Sequence, residues 1–337
     1  MKPLVSILIP AYNAGPFIAG TIRSAQRQLW PRKEIIVVDD GSKDNTLAVA
    51  RKFAGPEVTV VTQKNAGAAT ARNHAFSLAQ GDYIQWLDAD DLLAADKISR
   101  QMEVAEGCAD KKKLFSSEWG QFMYRPRCAR FKTTALCADQ GPLEWLLHKM
   151  GENLHMQPAT WLVSRELTEA AGKWDERLSL DDDGEYFCRV ILSSSGIRFV
   201  PGAKSFYRLS GVSSLSNVDQ SDKKLESLWL SMRLHVGYLR SLEDSPRVRA
   251  ACVAYLGNWL QYFDPARPDI LAEAGQLARE MGGTVKLPGL RPKYAWLEKV
   301  FSRRTAYRAQ VLLPNLKMSV ARSWDRAMHL IDRRADS

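Results

Sequence analysis

Over the first hundred residues, apolar positions fall into short unbroken runs with amphipathic stretches between them. Residues 4–10, 34–38, 58–62 and 83–87 are almost wholly apolar and rich in β-branched side chains. Such runs predict strands buried on both faces. Residues 16–29, 44–53 and 68–79 carry apolar side chains at helical spacing, with Asp44 as a cap for the second stretch and Gly81 just past the third. Strands alternating with helices imply right-handed βαβ units and a mostly parallel sheet flanked by helices, an α/β, Rossmann-like fold.

The pattern becomes mixed after residue 100. Residues 143–150 and 166–172 read as helices, and the acidic run 181–185 leads into a helix over 186–192, where the helix dipole favours acids at the start. From about residue 220 the spacing is helical. Leu225, Trp229 and Met232 share one face, and Tyr255, Trp259, Leu260 and Phe263 form an aromatic segment. Leu316, Val320, Trp324, Ala327, Met328 and Ile331 recur at helical spacing near the end, with Lys317, Arg322, Arg326 and Arg333 elsewhere around the wheel. The chain therefore divides into an α/β domain over 1–218, with halves at about 1–105 and 106–218, and a helical, basic region over 219–337.

Every polar cluster of the first half directly follows a strand. These clusters are Ala11-Tyr12-Asn13, Asp39-Asp40-Gly41-Ser42, Asn65-Ala66-Gly67 and Asp88-Ala89-Asp90-Asp91. Ligands of open α/β sheets bind beyond the carboxyl ends of the strands, so four clusters there predict one site. Two carboxylates two residues apart on extended chain, Asp88 and Asp90, point to the same side and repel. A hard cation, Mg²⁺ or Mn²⁺, neutralises them, and Mg²⁺ is usually held by one or two carboxylates plus substrate phosphates. Asp91 reads equally as a cap for a helix over 92–102. The Tyr12 ring can stack on a base, Asp40 can accept from a base or ribose, and Arg72 can face a diphosphate.

VSILIPAYN at 5–13, VDDGSKDNT at 38–46, NAGAATARN at 65–73 and LDADD at 87–91 together resemble the successive motifs of family 2 glycosyltransferases. The resemblance covers about 4–105 strongly and 155–215 moderately. It implies a GT-A fold, whose nucleotide-binding and acceptor halves would be 1–105 and 106–218. It also implies Pro10, Ala11 and Tyr12 lining a base pocket, Asp40 on the base (usually uracil), Asp39 near the ribose, Arg72 supporting the nucleotide, and Asp88 and Asp90 as the D-x-D pair. Of that pair, the resemblance implies Asp90 as the more direct metal ligand. A later acidic pair before an aromatic helix and an arginine resembles DDGEYFCR at 182–189, with Asp-Asp where the family usually has Glu-Asp. Counting back from Arg189 puts Asp183 at the catalytic base, with Asp182 beside it and Asp181 leaving the register open by one. Arg208, before a Ser/Gly-rich stretch at 209–216, is the candidate diphosphate contact. Trp161 and Trp174 read as core or as sugar platforms, and His148 and His155 as structural or surface residues.

The implied activity is metal-dependent, inverting transfer of a sugar from a nucleoside-diphosphate sugar, with UDP the implied carrier, to a glycan or lipid-linked acceptor in cell-surface polysaccharide assembly. Two other readings are a sugar nucleotidyltransferase, which usually has a basic Gly-rich signature after its first strand that Ala11-Tyr12-Asn13-Ala14-Gly15 lacks, and a non-catalytic nucleotide or nucleic-acid binding module. Composition refines the picture. The chain has 337 residues and net charge +9, and residues 284–337 hold twelve Lys/Arg against four Asp/Glu, a net +8. That tail predicts contact with an anionic membrane surface, or helices packed on their own domain or in a homo-oligomer. Nucleic acid is disfavoured as a partner. Cysteines at 108, 128, 137, 188 and 252 form no C-x-x-C pair and read as reduced thiols. The apolar run near the N-terminus is short for a signal peptide, which predicts a cytoplasmic protein, peripheral at the inner membrane face.

Overall fold

The computed structural model describes residues 2–209, 221–264, 266–286, 318–329, 331 and 332, with isolated positions at 294, 296, 297 and 300. In chain order the elements are β1 Val5–Ala11, α1 Ile18–Gln26, β2 Lys33–Asp39, α2 Thr46–Arg51, β3 Val58–Thr62, α3 Ala68–Leu78, β4 Tyr83–Trp86, β5 Leu92–Leu93 and α4 Lys97–Glu106. Then come β6 Lys113–Phe122, β7 Arg130–Phe131, α5 Pro142–Gly151, β8 Val163–Ser164, α6 Arg165–Ala171, α7 Asp182–Ser193 and β9 Gly196–Arg208. Three helices follow: α8 Asp222–Leu242, α9 Pro246–Trp259 and α10 Pro268–Glu280.

The main sheet has the order β3-β2-β1-β4-β8. Its first four strands are parallel, and β8 is antiparallel at the edge. All seven residues of β1 are buried, because helices cover both faces of a parallel sheet. The β1–β2 register sets Ala11 beside Asp39 at the carboxyl ends. A second sheet, β5-β9-β6-β7, stands beside the first. Its strands β6 and β9 escape the sequence pattern because β6 is bulged between Ser117 and Glu118 and β9 carries Pro201-Gly202.

The helix expected over 92–102 begins only at Lys97. Leu92 and Leu93 pair instead with Phe206 and Ser205 of β9, and the Asp91 carboxylate turns inward to accept from the backbone N–H of Arg208 at 2.8 Å. Asp91 therefore caps no helix. Asp44 does serve the start of α2, accepting from the Thr46 N–H at 2.9 Å, although it stands one residue before the cap position.

One hydrophobic cluster runs from Leu8, Ile84 and Trp86 of the main sheet through Tyr186 and Phe187 of α7 to Leu225, Leu256 and Ile270 of α8, α9 and α10. The core is thus continuous across residue 218. Each such fully buried apolar side chain contributes roughly 1.5–3 kcal/mol, which fixes α7 against both the sheet and α8. Trp161 and Trp174 belong to this core and are buried. Among the described residues, no helix is long and apolar enough to cross a membrane, and all five cysteines are free thiols.

Candidate functional site

The loops beyond β1, β2, β3 and β4 converge. Asn13, in the left-handed region at φ 49°, exchanges bonds with the loop after β2: its N–H donates to Ser42 Oγ at 3.0 Å, and its Oδ1 accepts from the Lys43 N–H at 2.8 Å. Asparagine tolerates that conformation because its short amide bonds locally. The Tyr12 ring stands 41% exposed at this rim, while Pro10 and Ala11 beneath it are buried. Gly41 has φ 68°, and a Cβ there would lie 2.8 Å from the Asn65 nitrogen, so the second and third loops touch only because a glycine separates them.

The two aspartates at the carboxyl end of β2, Asp39 its last residue and Asp40 just beyond, have different employment. Asp40 is fully committed. One oxygen accepts from Gln63 Nε2 at 2.8 Å and the Ala66 N–H at 2.9 Å, and the other from Asn65 Nδ2 at 3.0 Å and the Gly67 N–H at 2.9 Å. It braces the loop that starts α3. Asp39 accepts from Thr62 Oγ1 at 3.0 Å and the Ser42 N–H at 3.3 Å through Oδ2, while Oδ1 is buried with no hydrogen-bond partner. Such an acceptor is completed by an ordered water or by a ligand.

Arg72 on α3 joins the two acidic clusters. Its Nη2 donates to Asp88 Oδ1 at 2.9 Å and its Nη1 to Asp182 Oδ2 at 2.6 Å, with the guanidinium 4.4 Å from the centre of the Trp174 ring. Burial works against the Arg72 charge, but Asp182, Asp88 and Asp183 more than offset it and raise its pKa. Trp174 stacks on Tyr186 with ring centres 4.0 Å apart, so it supports this arginine as a core residue and offers no open face to a sugar. Asp88 and Asp90 are both half-buried. Beneath them, Asp91 has its pKa raised well above the usual range by burial and by the charges of Asp90 and Asp88. The carboxylate oxygens of Asp88 and Asp90 are of the kind a hard divalent cation takes, but among the described residues no three His, Cys, Asp or Glu side chains gather to hold one, so most of its ligands would come from substrate and water.

Arg208 lies against this acidic turn. Its Nε donates to the carbonyl of Asp90 and its Nη1 to that of Met123, both at 2.7 Å, and Phe17 and Phe122 flank the guanidinium. In the structure it braces the turn that presents Asp90. Residues 210–216 of the Ser/Gly stretch lie outside the described residues.

The second acidic cluster opens α7, and its three members are held differently. Asp181 is left-handed at φ 57°, and its Oδ2 accepts from Ser231 Oγ of α8 at 2.6 Å. A Cβ on Gly184 would fall 2.1 Å from Asp181 Oδ1, so any side chain there would have to push that carboxylate aside. Asp182 is taken by Arg72. Asp183 accepts from the Gly184 N–H at 2.9 Å and faces a pocket lined also by Lys149, His155, Asp181 and Cys188. Burial, with Asp182 and Asp181 close by, pushes the Asp183 carboxyl up to about 7. Arg189, by which the motif is aligned, holds Glu185 at 2.7 Å and the carbonyl of Lys173 at 2.8 Å, fixing the helix to the preceding loop.

Sequence spacing misses Ser231 and the buried His235 one turn on, whose Nδ1 lies 3.8 Å from Asp181 Oδ2. Nothing in a polar position of a long helix announces a contact fifty residues upstream. His155, read as structural or surface, lies at the pocket beside Trp119, with ring centres 5.2 Å apart, and burial lowers its pKa. His148 is paired with Glu152 at 2.6 Å, away from the site.

Residues 6–111 match the family model described as "Glycosyl transferase family 2". A putative teichuronic acid biosynthesis glycosyltransferase of Bacillus subtilis (strain 168) is 36% identical over 152 residues, covering 44% of this chain and 53% of its own. The chain thus spans about half the length of that relative. Among solved structures, S. aureus TarS 1-349 in complex with UDP-GlcNAc superposes with TM-score 0.66 over 91% of both chains at 16% identity. The mannosyltransferase PcManGT of Pyrobaculum calidifontis, in complex with GDP-Man and Mn2+, gives 0.52 over 96% of this chain and 88% of that one at 21% identity.

Proposed function

From a family 2 glycosyltransferase domain over residues 6–111 on a GT-A fold, we propose that this protein moves a sugar from a UDP-sugar to a hydroxyl of a glycan or lipid-linked acceptor, with inversion, in polysaccharide assembly. The observation that carries this reading is the separation of duties between two acidic clusters that Arg72 holds together. Asp88 and Asp90 form one, and Asp183, with its raised pKa and its face to a pocket, heads the other.

Tyr12 supplies a ring for the base, and the unfilled Oδ1 of Asp39 accepts a base N–H. This moves the base contact from Asp40 to its neighbour, with Asp40 bracing the loop. Asp88 and Asp90 would hold Mg²⁺ or Mn²⁺, which supplies Lewis-acid stabilisation of a departing diphosphate. Asp183 takes the proton from the acceptor hydroxyl as its oxygen bonds to the anomeric carbon. The bond from that carbon to the donor phosphate oxygen breaks on the opposite face, and the nucleoside diphosphate leaves with the electron pair. Asp182 is less fit as the base, because Arg72 occupies it. A base near 7 ionises in the working range and still draws a proton in the transition state. The teichuronic acid relative and the UDP-GlcNAc complex support the acceptor and donor classes, and the Mn2+ complex supports the metal.

Calorimetric titration of UDP, GDP and TDP with and without Mn²⁺, on wild type and Asp90→Ala, tests the reading. Manganese-dependent UDP binding lost in the variant supports it. A folded protein that binds none of the three with metal present sinks it.

A further inference from the structure

Residues 318–329, 331 and 332 are helical, and the helix meets the rest of the protein through its carboxylates. Asp325 accepts from the Tyr124 N–H at 2.8 Å and pairs with Arg125 Nε at 2.6 Å. Asp332 pairs with Arg127 at 2.5 Å, and His329 stacks on Tyr124 with ring centres 6.2 Å apart. At 100° per residue these contacts share one side. Val320, Trp324, Ala327 and Ile331 share another, and Val320, Trp324 and Ile331 are 66%, 68% and 59% exposed. A surface helix ordinarily does the reverse, turning its apolar stripe to the core. An apolar stripe held outward by ion pairs marks a contact surface.

Area and charge select the occupant. Among the described residues the stripe is a single narrow strip along about 18 Å of helix, short of the roughly 800 Å² per partner of a stable protein interface. A bilayer needs no matching shape, only an apolar strip with cations near it. The tail that carries the helix is basic in sequence, with twelve Lys/Arg against four Asp/Glu over 284–337, most of them outside the described residues, and two of those four acids are already paired with Arg125 and Arg127. Tryptophan, at the centre of the stripe, is the side chain that settles best at headgroup level. We propose that this helix lays the protein on an anionic phospholipid bilayer, with Val320, Trp324, Ala327 and Ile331 entering the boundary between headgroups and acyl chains. The inference stands apart from the transfer chemistry.

The test is co-sedimentation of the full chain with vesicles of phosphatidylcholine alone and of phosphatidylcholine with three-tenths phosphatidylglycerol. Wild type should bind the anionic vesicles and release as salt rises. Trp324→Glu should weaken that binding at least about tenfold, and Trp324→Phe should retain most of it, with melting curve and UDP affinity unchanged in both. Failure of wild type to bind, or equal binding by Trp324→Glu, overturns the proposal. So does a wild-type dimer in sedimentation equilibrium that Trp324→Glu dissolves, since the face would then belong to a second copy.

Discussion

Arg72 and Asp182 form an ion pair at 2.6 Å across 110 positions of sequence, and the same guanidinium holds Asp88 at 2.9 Å. The planar fork fixes the directions of both bonds, which a lysine's single ammonium does not reproduce. Arg72→Lys should therefore keep a positive charge and still lose about 10- to 100-fold in kcat/KM, or about 1.4–2.8 kcal/mol. Arg72→Ala, which strands two partly buried carboxylates, should also lower unfolding stability by about 3–5 kcal/mol. Kinetics with a UDP-sugar and urea unfolding check both. A lysine variant with wild-type kcat/KM would show that charge alone suffices.

On the proposed mechanism the pH dependence falls on Asp183. Its carboxyl, up at about 7, must be ionised to accept a proton, so kcat/KM should rise about tenfold per pH unit below 7 and level off above it. Asp183→Asn should remove that acid limb and about 10²- to 10⁴-fold of the rate, with UDP affinity kept. Stability runs the other way. Between about pH 4 and 7 the folded chain retains a proton that the unfolded chain has released, so this group's contribution falls as pH rises through that window. A pH–rate profile on both proteins, with thermal melts across the same range, decides the matter. An acid limb unchanged in the asparagine variant would exclude Asp183 as the base.

The neighbouring aspartates at the carboxyl end of β2 should part company on substitution. Asp39→Asn should weaken UDP binding about tenfold or more while leaving the melt close to wild type, since its orphan oxygen is the atom a base would complete. Asp40→Asn turns an amide toward donors that need an acceptor, and should cost about 2–4 kcal/mol of stability. Calorimetry and urea unfolding on the pair give the answer. The opposite assignment of effects would restore Asp40 to the base.

Ser231 positions the start of α7 through Asp181. Ser231→Ala should lower kcat at least about fivefold and stability by about 1–2 kcal/mol, with the KM for donor unchanged, because the nucleotide half is untouched. Ser231→Thr, which keeps the hydroxyl, should recover most of kcat. Steady-state kinetics read the split. A loss confined to stability would leave Ser231 a packing residue only.

Lys97 is wholly buried, donates to Gln85 Oε1, and has its pKa pushed well below that of a free lysine by burial. Between the lowered folded value and the ordinary lysine value the unfolded chain holds a proton that the folded chain has released, so stability should climb as pH rises through that window. The climb reaches at most about 1.4 kcal/mol per pH unit. Lys97→Met should remove that slope relative to wild type. Urea midpoints at several values from pH 7 to 9.5 measure it, and parallel slopes in the two proteins would mean Lys97 stays charged inside.

The parallel sheet was readable because its strands are continuous apolar runs, and β3 falls on the expected residues 58–62. The convergence of its polar loops was readable because strand ends in such sheets gather on one edge. The second sheet was not, since β6 buries Ser116 and Ser117 and is bulged beside them, which erases a period of two. The division of labour between Asp39 and Asp40 was hidden for a related reason. Adjacent identical residues differ only in which donors the fold brings to them, and Gln63, Asn65 and Gly67 come from another loop. The tail showed its helical spacing at Val320, Trp324 and Ile331, but which side faces the protein depended on Arg125 and Arg127, two hundred residues away.

The unbroken core from Trp86 through Tyr186 to Leu225 and Ile270 bears on how such a protein can be rearranged by recombination. A crossover near residue 218 would join two halves whose apolar surfaces were fitted to different partners. It would disturb Asp181 and Ser231 together. Exchange of α8 to α10 between relatives should therefore succeed only when α7 travels with them, whereas the loops after β1 and β2 can change without disturbing that joint.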